Sequence, residues 1–382
     1  MIIEKDTLYI GEDLKYHFAD NNYQRAMIDE VVRRYPAKIT PYLAKLMKYS
    51  EAIRKQYLPS PLELSSNGTA HPFEEGKESS KIYGLERLYR DRVLLTPHFD
   101  CPAYCRFCYK KSRVMRNQPE MTLEQIDAAI EEIAKMKEVR GVLITGGEPL
   151  VNQKKLFYTI DKVIRLGNIT EIRIGTRTLL TCPYIYSDKL CDRLSSYIKV
   201  NTNEPFKSKS LAINVHFNHP DELTPDAVTA ASKLISRGII LRNQTVLLKG
   251  INDNIKTIKT LFSLLLRNRI IPYYFNHCMP IEGSDHLRCS VQRGLDIYKY
   301  LCTESATIIP HYVYAPSAGK VHVGSDTKLK YINNGKERAI VSRMPYLKEE
   351  FFKITKKMSL PPNHEYDEEG HIIGWYLDGK DE

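Results

Sequence analysis

Residues 100–111 read DCPAYCRFCYKK, and residues 141–149, one strand further on, read GVLITGGEP. The first stretch carries Cys101, Cys105 and Cys108 in a C-x3-C-x2-C spacing, directly after a short apolar run that begins at Val93. The second ends its own apolar run in the turn Gly146-Gly147-Glu148-Pro149. Working outward, the same rhythm repeats. VLLTP is followed by TLEQIDAAIEEIAKMK, GVLITG by KLFYTIDKVIRL, and EIRIGT by SDKLCDRLSSYI. LAINVHF then leads to DAVTAASKLISRG, ILRNQTVLL to TIKTLFSLLLRN, and IPYYFNHC to VQRGLDIYKYLC. Strand-length runs alternating with helix-length amphipathic stretches predict βαβ units and a parallel sheet. Six units fit between Val93 and Cys302, too few for a closed eight-fold barrel. The expected fold class is α/β, a partial open (β/α)6 barrel with its chemistry at the C-terminal ends of the strands. Residues 1–90 read as an N-terminal helical segment, broken by prolines in RYPAKITPYL and YLPSPLEL. The barrel is assigned to 91–305. Residues 306–382 read as a strand-rich C-terminal segment, with a hairpin expected around Asn333-Asn334-Gly335.

Composition narrows the class of protein. With 382 residues, 42% hydrophobic and 27% charged, the chain has the make-up of an ordinary globular enzyme. No apolar run reaches the length of a membrane span, and the charged N-terminus does not read as a secretory signal, so the expected address is the cytoplasm. The formal net charge of +10 is dispersed rather than gathered into a tract, which reads as a solvated surface and not as a nucleic-acid footprint. Of the eight cysteines, Cys182, Cys191, Cys278, Cys289 and Cys302 are scattered and read as small core residues. The other three lie within eight residues, and that clustering points to metal.

Thiolates are soft ligands suited to iron–sulfur clusters and zinc. Three of them can hold three irons of a cubane and leave the fourth open to a small ligand. The alternative is a zinc site completed by His98, as H-x2-C-x3-C-x2-C, in a basic nucleic-acid-binding module. That alternative leaves the Gly-Gly-Glu turn and the strand–helix rhythm without a purpose. On the same rim as an open iron, Gly146, Gly147 and Glu148 have one: receiving the amino group of a chelating ligand.

Together these motifs resemble the radical S-adenosylmethionine superfamily, which also carries an aromatic before the last cysteine, here Phe107. Within it the chain looks like the lysine 2,3-aminomutase family over roughly Arg34 to Val341. The matching stretches, in order, are RYPAKITPY, IRKQYLPSPLEL, YRDRVLL, the cysteine loop, GVLITGGEPLV, EIRIGTRT, NVHFNHPDELT, RNQTVLLKGINDN, RIIPYYFNHC and YAPSAGK. The resemblance implies a [4Fe–4S] cluster on Cys101, Cys105 and Cys108. It implies S-adenosylmethionine against Gly146, Gly147, Glu148, His216 and Gln244. It further implies pyridoxal phosphate bound covalently to Lys320 and seated by Tyr89 and Arg92. The implied reaction uses 5′-deoxyadenosyl radical chemistry to convert an α-amino acid to a β-amino acid, with a one-electron reductant such as flavodoxin or ferredoxin as partner.

The departures bear on the substrate. Lysine-specific members place two aspartates where this chain has Met279 and Tyr314, so the implied substrate is not lysine, whose ammonium would enter a pocket without a counter-charge. The family's arginine for the substrate carboxylate is Lys110 here, with Lys111 and Arg113 as neighbouring substitutes. A phosphate-seating arginine of the family is Leu88, an aromatic near the cofactor is Asn276, and the glycine turn before Lys320 is one residue shorter. A family zinc cysteine is Asn254, so a homo-oligomer would form without that metal. The same radical start could also end in elimination, oxidation or cyclisation, outcomes that an assay for consumed S-adenosylmethionine separates from isomerisation.

Overall fold

The computed structural model describes residues 9–19, 21–72, 82–115, 118–303, 309–315, 319–324, 327–332 and 337–380. Its strands, in chain order, are β1 (Tyr9–Ile10), β2 (Lys38–Ile39), β3 (Leu85–Glu86), β4 (Arg92–Leu95) and β5 (Gly141–Ile144). They continue with β6 (Glu171–Gly175), β7 (Ser210–Val215), β8 (Ile240–Leu247), β9 (Ile271–His277), β10 (His311–Tyr314) and β11 (Val321–His322). The last four are β12 (Thr327–Ile332), β13 (Glu337–Leu347), β14 (His364–Tyr366) and β15 (His371–Leu377).

Each of β4 to β9 feeds a helix, and the expected six βα units are all present. The helices span Leu123–Lys135, Gln153–Val163, Asp188–Ser195, Pro225–Ile235, Ile255–Arg267 and Val291–Thr303. Local chemistry fixes where they start. Thr122 and Gln125 form a capping box on the first, and Asn152, Ser187, Thr224 and Asn254 cap the next four through their side-chain oxygens. The apolar stripe of the first helix, Ile126, Ala129, Ile130 and Ile133, is buried at helical spacing against the sheet. Strands β4 to β9 run parallel in sequence order, as the rhythm predicts. The sheet goes one strand further. β10 adds to β9 in parallel, and antiparallel β11 and β3 form its two ends, giving an open nine-stranded sheet. Lys320 therefore sits at the turn of an edge hairpin of the barrel. The separate antiparallel sheet β12-β13-β15-β14 follows it. The expected hairpin turn at Asn333-Asn334-Gly335 lies outside the described residues; its flanking strands β12 and β13 pair antiparallel.

Burial along the barrel strands alternates with period two. Val93 and Leu95, Val142 and Ile144, and Ile172 and Ile174 are buried against helices, while Arg92, Glu171, Arg173, Arg242, Gln244 and Tyr274 are only partly covered. A parallel sheet covered on both faces reads as continuous apolar runs. Polar residues at every second position mark the lumen.

The N-terminal helices are strapped across the C-terminal rim of this barrel. Thr40 Oγ1 donates to Thr181 O at 2.6 Å, Ser50 Oγ to Asp221 Oδ2 at 2.6 Å, and Gln56 Nε2 to Glu222 Oε1 at 2.6 Å. The strap also holds the cysteine loop by its backbone, since the amides of Tyr104 and Arg106 donate to Lys38 O and Gln56 O.

Candidate active site

The loop that follows β4 carries all three clustered cysteines, each partly exposed and free. Between Cys105 and Cys108 the loop plunges inward at Arg106, whose side chain is wholly buried. Its Nε and one terminal nitrogen donate to the two oxygens of Glu63 at 2.9 and 2.6 Å, and the other terminal nitrogen reaches Pro36 O. Lys111 Nζ joins the same carboxylate at 2.6 Å. This buried knot ties the cysteine loop to the N-terminal strap.

Burial pushes the Cys101 thiol well above its ordinary value and the Cys108 thiol up to about 12, and neighbouring cysteines add to both shifts. Two such groups ionise together only beside a compensating cation. Arg177 supplies part of that charge, its Nη1 donating to Cys105 Sγ at 2.9 Å. Among the described residues, no three His, Cys, Asp or Glu side chains converge on one point. A cubane does not require that, because each thiolate binds its own iron. His98, the fourth ligand of the zinc alternative, accepts from the Asp100 amide at Nδ1 and does not converge with the cysteines on one point. The donor set fits a cluster.

The Gly-Gly-Glu turn packs directly beneath this loop. A Cβ on Gly146 would lie 2.3 Å from Thr96 Cγ2, and one on Gly147 2.2 Å from Asp100 O. Gly146 also has φ +124, a conformation glycine adopts readily. The amides of Gly147 and Glu148 donate to His98 O and Asp100 O. The glycines thus serve the close approach of two loops, and the edge that the sequence alone assigns to a ligand is partly spent on the cysteine loop. The Glu148 carboxylate accepts from the amides of Leu150 (3.2 Å) and Arg177 (2.9 Å). Burial nevertheless raises its pKa to about 7. A ligand ammonium beside it would restore the ionised form.

His216 lies on the rim after β7, with Phe107 edge-on to its ring at 5.5 Å. Burial, with Arg177 nearby, lowers its pKa well below the ordinary value, so the imidazole is neutral. Its Nε2 is 3.1 Å from Asn218 Oδ1, which also accepts from the Val246 amide. That oxygen is acceptor only, which assigns the proton to Nε2 and leaves Nδ1 as an acceptor facing the rim. Gln244 is half-buried on the lumen face of β8, in register with Tyr274.

Lys320 lies deeper. Its Nζ rests 3.7 Å from the centroid of the Tyr274 ring, and its amide donates to Tyr89 Oη at 3.1 Å. Arg92 stacks over Tyr89 at 4.6 Å. Burial first, then Arg92 and Arg173, lower the Lys320 pKa to about 7. A neutral amine is the form that attacks an aldehyde, and the apolar, cationic surroundings provide it near neutral pH. The residues fit a cofactor carrying an aldehyde and an anionic group. Residues 316–318 of the preceding turn lie outside the described residues.

The substrate residues expected from sequence are only partly brought together. Met279 is half-buried in the loop after β9, and Lys110 is buried with its Nζ donating to Thr96 Oγ1 at 3.2 Å. Lys111 and Arg113 are committed to Glu63 and Glu86, so neither replaces Lys110. Tyr314 is a correction. In the parallel register with β9, Val313 faces the lumen with Asn276, and Tyr314 points to the opposite face. There its ring packs against His277 and Tyr376, 5.6 and 5.9 Å between centroids, and it is 1% exposed. Sequence reading also passed over Arg177, Gln56 and Glu222. Arg177 lies between the Tyr57 and Phe107 rings and donates to Gln56 Oε1 at 2.6 Å. The signal was an arginine in EIRIGTRT, just past a strand end.

An open parallel barrel whose first loop presents three thiolates above a Gly-Gly-Glu turn defines a radical S-adenosylmethionine enzyme. Residues 95–261 match the Radical SAM superfamily. The L-lysine 2,3-aminomutase of Fusobacterium nucleatum is 35% identical over 323 residues, covering 82% of this chain and 73% of that protein. The L-lysine 2,3-aminomutase of Clostridium subterminale is 32% identical over 316 residues, 81% and 73% of the two chains. The glutamate 2,3-aminomutase of Clostridioides difficile is 30% identical over 308 residues, 78% and 69%. The chain belongs to the lysine 2,3-aminomutase family of radical S-adenosylmethionine enzymes. Aminomutases of this kind use a [4Fe–4S] cluster, S-adenosylmethionine and pyridoxal phosphate. Among the described residues no helix is long and apolar enough to cross a membrane.

Proposed function

We propose that the chain is a 2,3-aminomutase that moves the amino group of an α-amino acid from Cα to Cβ, acting on a substrate with an uncharged side chain. The observation that carries this reading is the half-buried Lys320 amine, seated on the Tyr274 ring with its amide on Tyr89 Oη, within the lumen whose rim bears the cysteine loop and the Gly-Gly-Glu turn. When bound, the cluster with S-adenosylmethionine supplies the radical that removes a hydrogen, and pyridoxal phosphate supplies the delocalisation that lets nitrogen migrate.

The chain's own residues do the rest. Cys101, Cys105 and Cys108 would hold the irons. Gly146, Gly147, Glu148, His216 and Gln244 line the level where S-adenosylmethionine is to lie, and Tyr89, Arg92 and Lys320 the level of pyridoxal phosphate. Lys110, a buried cation with a neutral hydroxyl partner, is suited to a substrate carboxylate. A one-electron reductant, flavodoxin or ferredoxin in character, is the redox partner.

The side-chain preference is supported by the loop after β9. Its two acids are engaged elsewhere: Glu282 accepts from Arg34 at 2.6 Å, and Asp285 from the Asn67 amide at 2.6 Å. Met279 on that loop offers no charge. A substrate ammonium there would lose its water without gaining a partner. Anaerobic incubation with reductant and S-adenosylmethionine, over lysine, glutamate, glutamine, alanine and an aromatic amino acid, tests this by mass spectrometry of every product. A β-amino acid from an uncharged substrate supports the reading; best turnover of lysine or glutamate sinks the pocket assignment. Met279→Asp should raise lysine turnover relative to the unmodified chain, since it supplies the missing counter-charge.

Lys320 has its own test. Borohydride should fix pyridoxal phosphate on this residue, and Lys320→Ala should abolish that linkage while S-adenosylmethionine cleavage continues, because the cluster lies on another loop. The rate of cofactor uptake should climb as pH rises through about 7 and flatten above it, following the neutral amine. A rate flat across that range, or label on a different lysine, refutes the assignment.

A further inference from the structure

Around Arg92 the lumen carries a further set of charged side chains. Glu171 and Arg173 stand two apart on β6 and so share a face. The register Arg92↔Gly141↔Glu171 sets Arg92 on that same face. Glu171 Oε1 accepts from Arg242 of β8 at 2.7 Å, and its other oxygen closes on Arg173 Nε. Both arginines flank the Tyr273 ring, Arg242 at 5.4 Å and Arg173 at 6.0 Å from its centroid. Their side chains are 21% and 18% exposed, the coverage of groups that line a space rather than fill a core. Arg92 has a buried Nε with no hydrogen-bond partner. Three guanidiniums share this lumen face with one carboxylate, which pairs with two of them. With Lys320 neutral, two positive charges remain unbalanced, and a phosphate monoester carries about −1.5 to −2 at pH 7.

We propose that Arg242, braced by Glu171, closes a phosphate clamp with Arg92 and Arg173. The inference rests on the pyridoxal phosphate reading and adds to it where the phosphate goes. Guanidinium forks suit phosphate oxygens, and the carboxylate of Glu171 fixes two of them without neutralising all three. The Lys320 amine supports the same level: it rests on Tyr274, two residues before Asn276 and on the same face, so an aromatic platform is present one step deeper than position 276.

Titration of the cofactor-free protein with pyridoxal phosphate and with pyridoxal, followed by absorbance, tests the clamp through the ratio of the two affinities. Arg242→Gln should weaken pyridoxal phosphate binding about tenfold or more, the scale of one lost charge-assisted contact, and leave pyridoxal binding unchanged. Pyridoxal thereby reports that the variant is folded. Arg242→Lys, which keeps the charge beside Glu171, should lose only part of the ratio. An equal loss for both ligands makes Arg242 a structural strut and overturns the inference, as does an unchanged ratio. An unmodified protein that binds both ligands equally refutes the clamp alone. One that binds neither refutes the cofactor reading, and the clamp with it.

Discussion

Replacing Cys101, Cys105 or Cys108 singly by alanine should strip iron from the chain and reduce S-adenosylmethionine cleavage to background. The anaerobically prepared unmodified protein should carry roughly four irons and the brown colour of a [4Fe–4S] cluster. Three protein thiolates are the minimum that leaves one iron open, so no pair of them substitutes for the trio. Without metal, burial pushes the Cys108 thiol up to about 12, so it binds as a thiolate only with the charge of the cluster beside it. Cys105→Ala has a further consequence: the Arg177 guanidinium loses its sulfur partner and keeps only Gln56 and Glu222. The controls are built into the chain. Cys302 is exposed and Cys191 is fully buried in the apolar core, and neither touches the loop, so alanine at either should leave the iron content unchanged. Iron and cleavage that survive in any of the three loop variants would remove the cluster assignment altogether.

The architecture was readable because its signal is local. Each of β4 to β9 is a run of four or more residues followed by a capped amphipathic helix, and both periods are written in the chain itself. The seventh parallel strand escaped because no helix follows His311–Tyr314 to complete the βα rhythm. What neither period specifies is which parity of a strand faces the lumen. Tyr314 shows the cost: a shift of one residue moves a side chain from lumen to core, and only the register with β9 decides it. The charged floor was visible in principle. Arginine and glutamate at alternate positions of EIRIG, and arginine in ILRNQ, are out of place in parallel strands unless one face is wet. The role of the N-terminal motifs was not visible at all. RYPAKITPY and IRKQYLPSPLEL match the family pattern, but that they brace the cysteine loop depends on contacts such as Glu63 to Arg106, 43 residues apart.

Glu63→Gln should be the most destabilising single substitution in the strap, and it should cost iron as well as stability. Glu63 and Arg106 are wholly buried and Lys111 is 2% exposed, so water compensates none of the three. The carboxylate accepts both forks of Arg106 and the Lys111 ammonium, and it also caps its own 3-10 turn through the Ser60 amide at 2.9 Å. Glutamine keeps one acceptor oxygen and turns an NH2 toward a cation, leaving two buried charges uncompensated. Breaking a buried pair in this way costs roughly 3–5 kcal/mol, which should appear as a lower thermal midpoint. Its pH dependence is the sharper test. Burial alone would raise the Glu63 pKa, but Arg106 and Lys111 outweigh it and hold the value below that of an ordinary carboxyl. The pair's stabilisation is therefore complete above the unfolded-state pKa of about 4.3 and is lost as pH falls through the depressed folded value. The variant has no proton to gain there. The gap between the two midpoints should be wide near neutrality and narrow in acid; a gap constant with pH would mean that packing, not charge, is what Glu63 contributes. Arg106 lies between Cys105 and Cys108 on the loop that this carboxylate anchors, so the variant should also release iron faster to a chelator, even at temperatures where it remains folded.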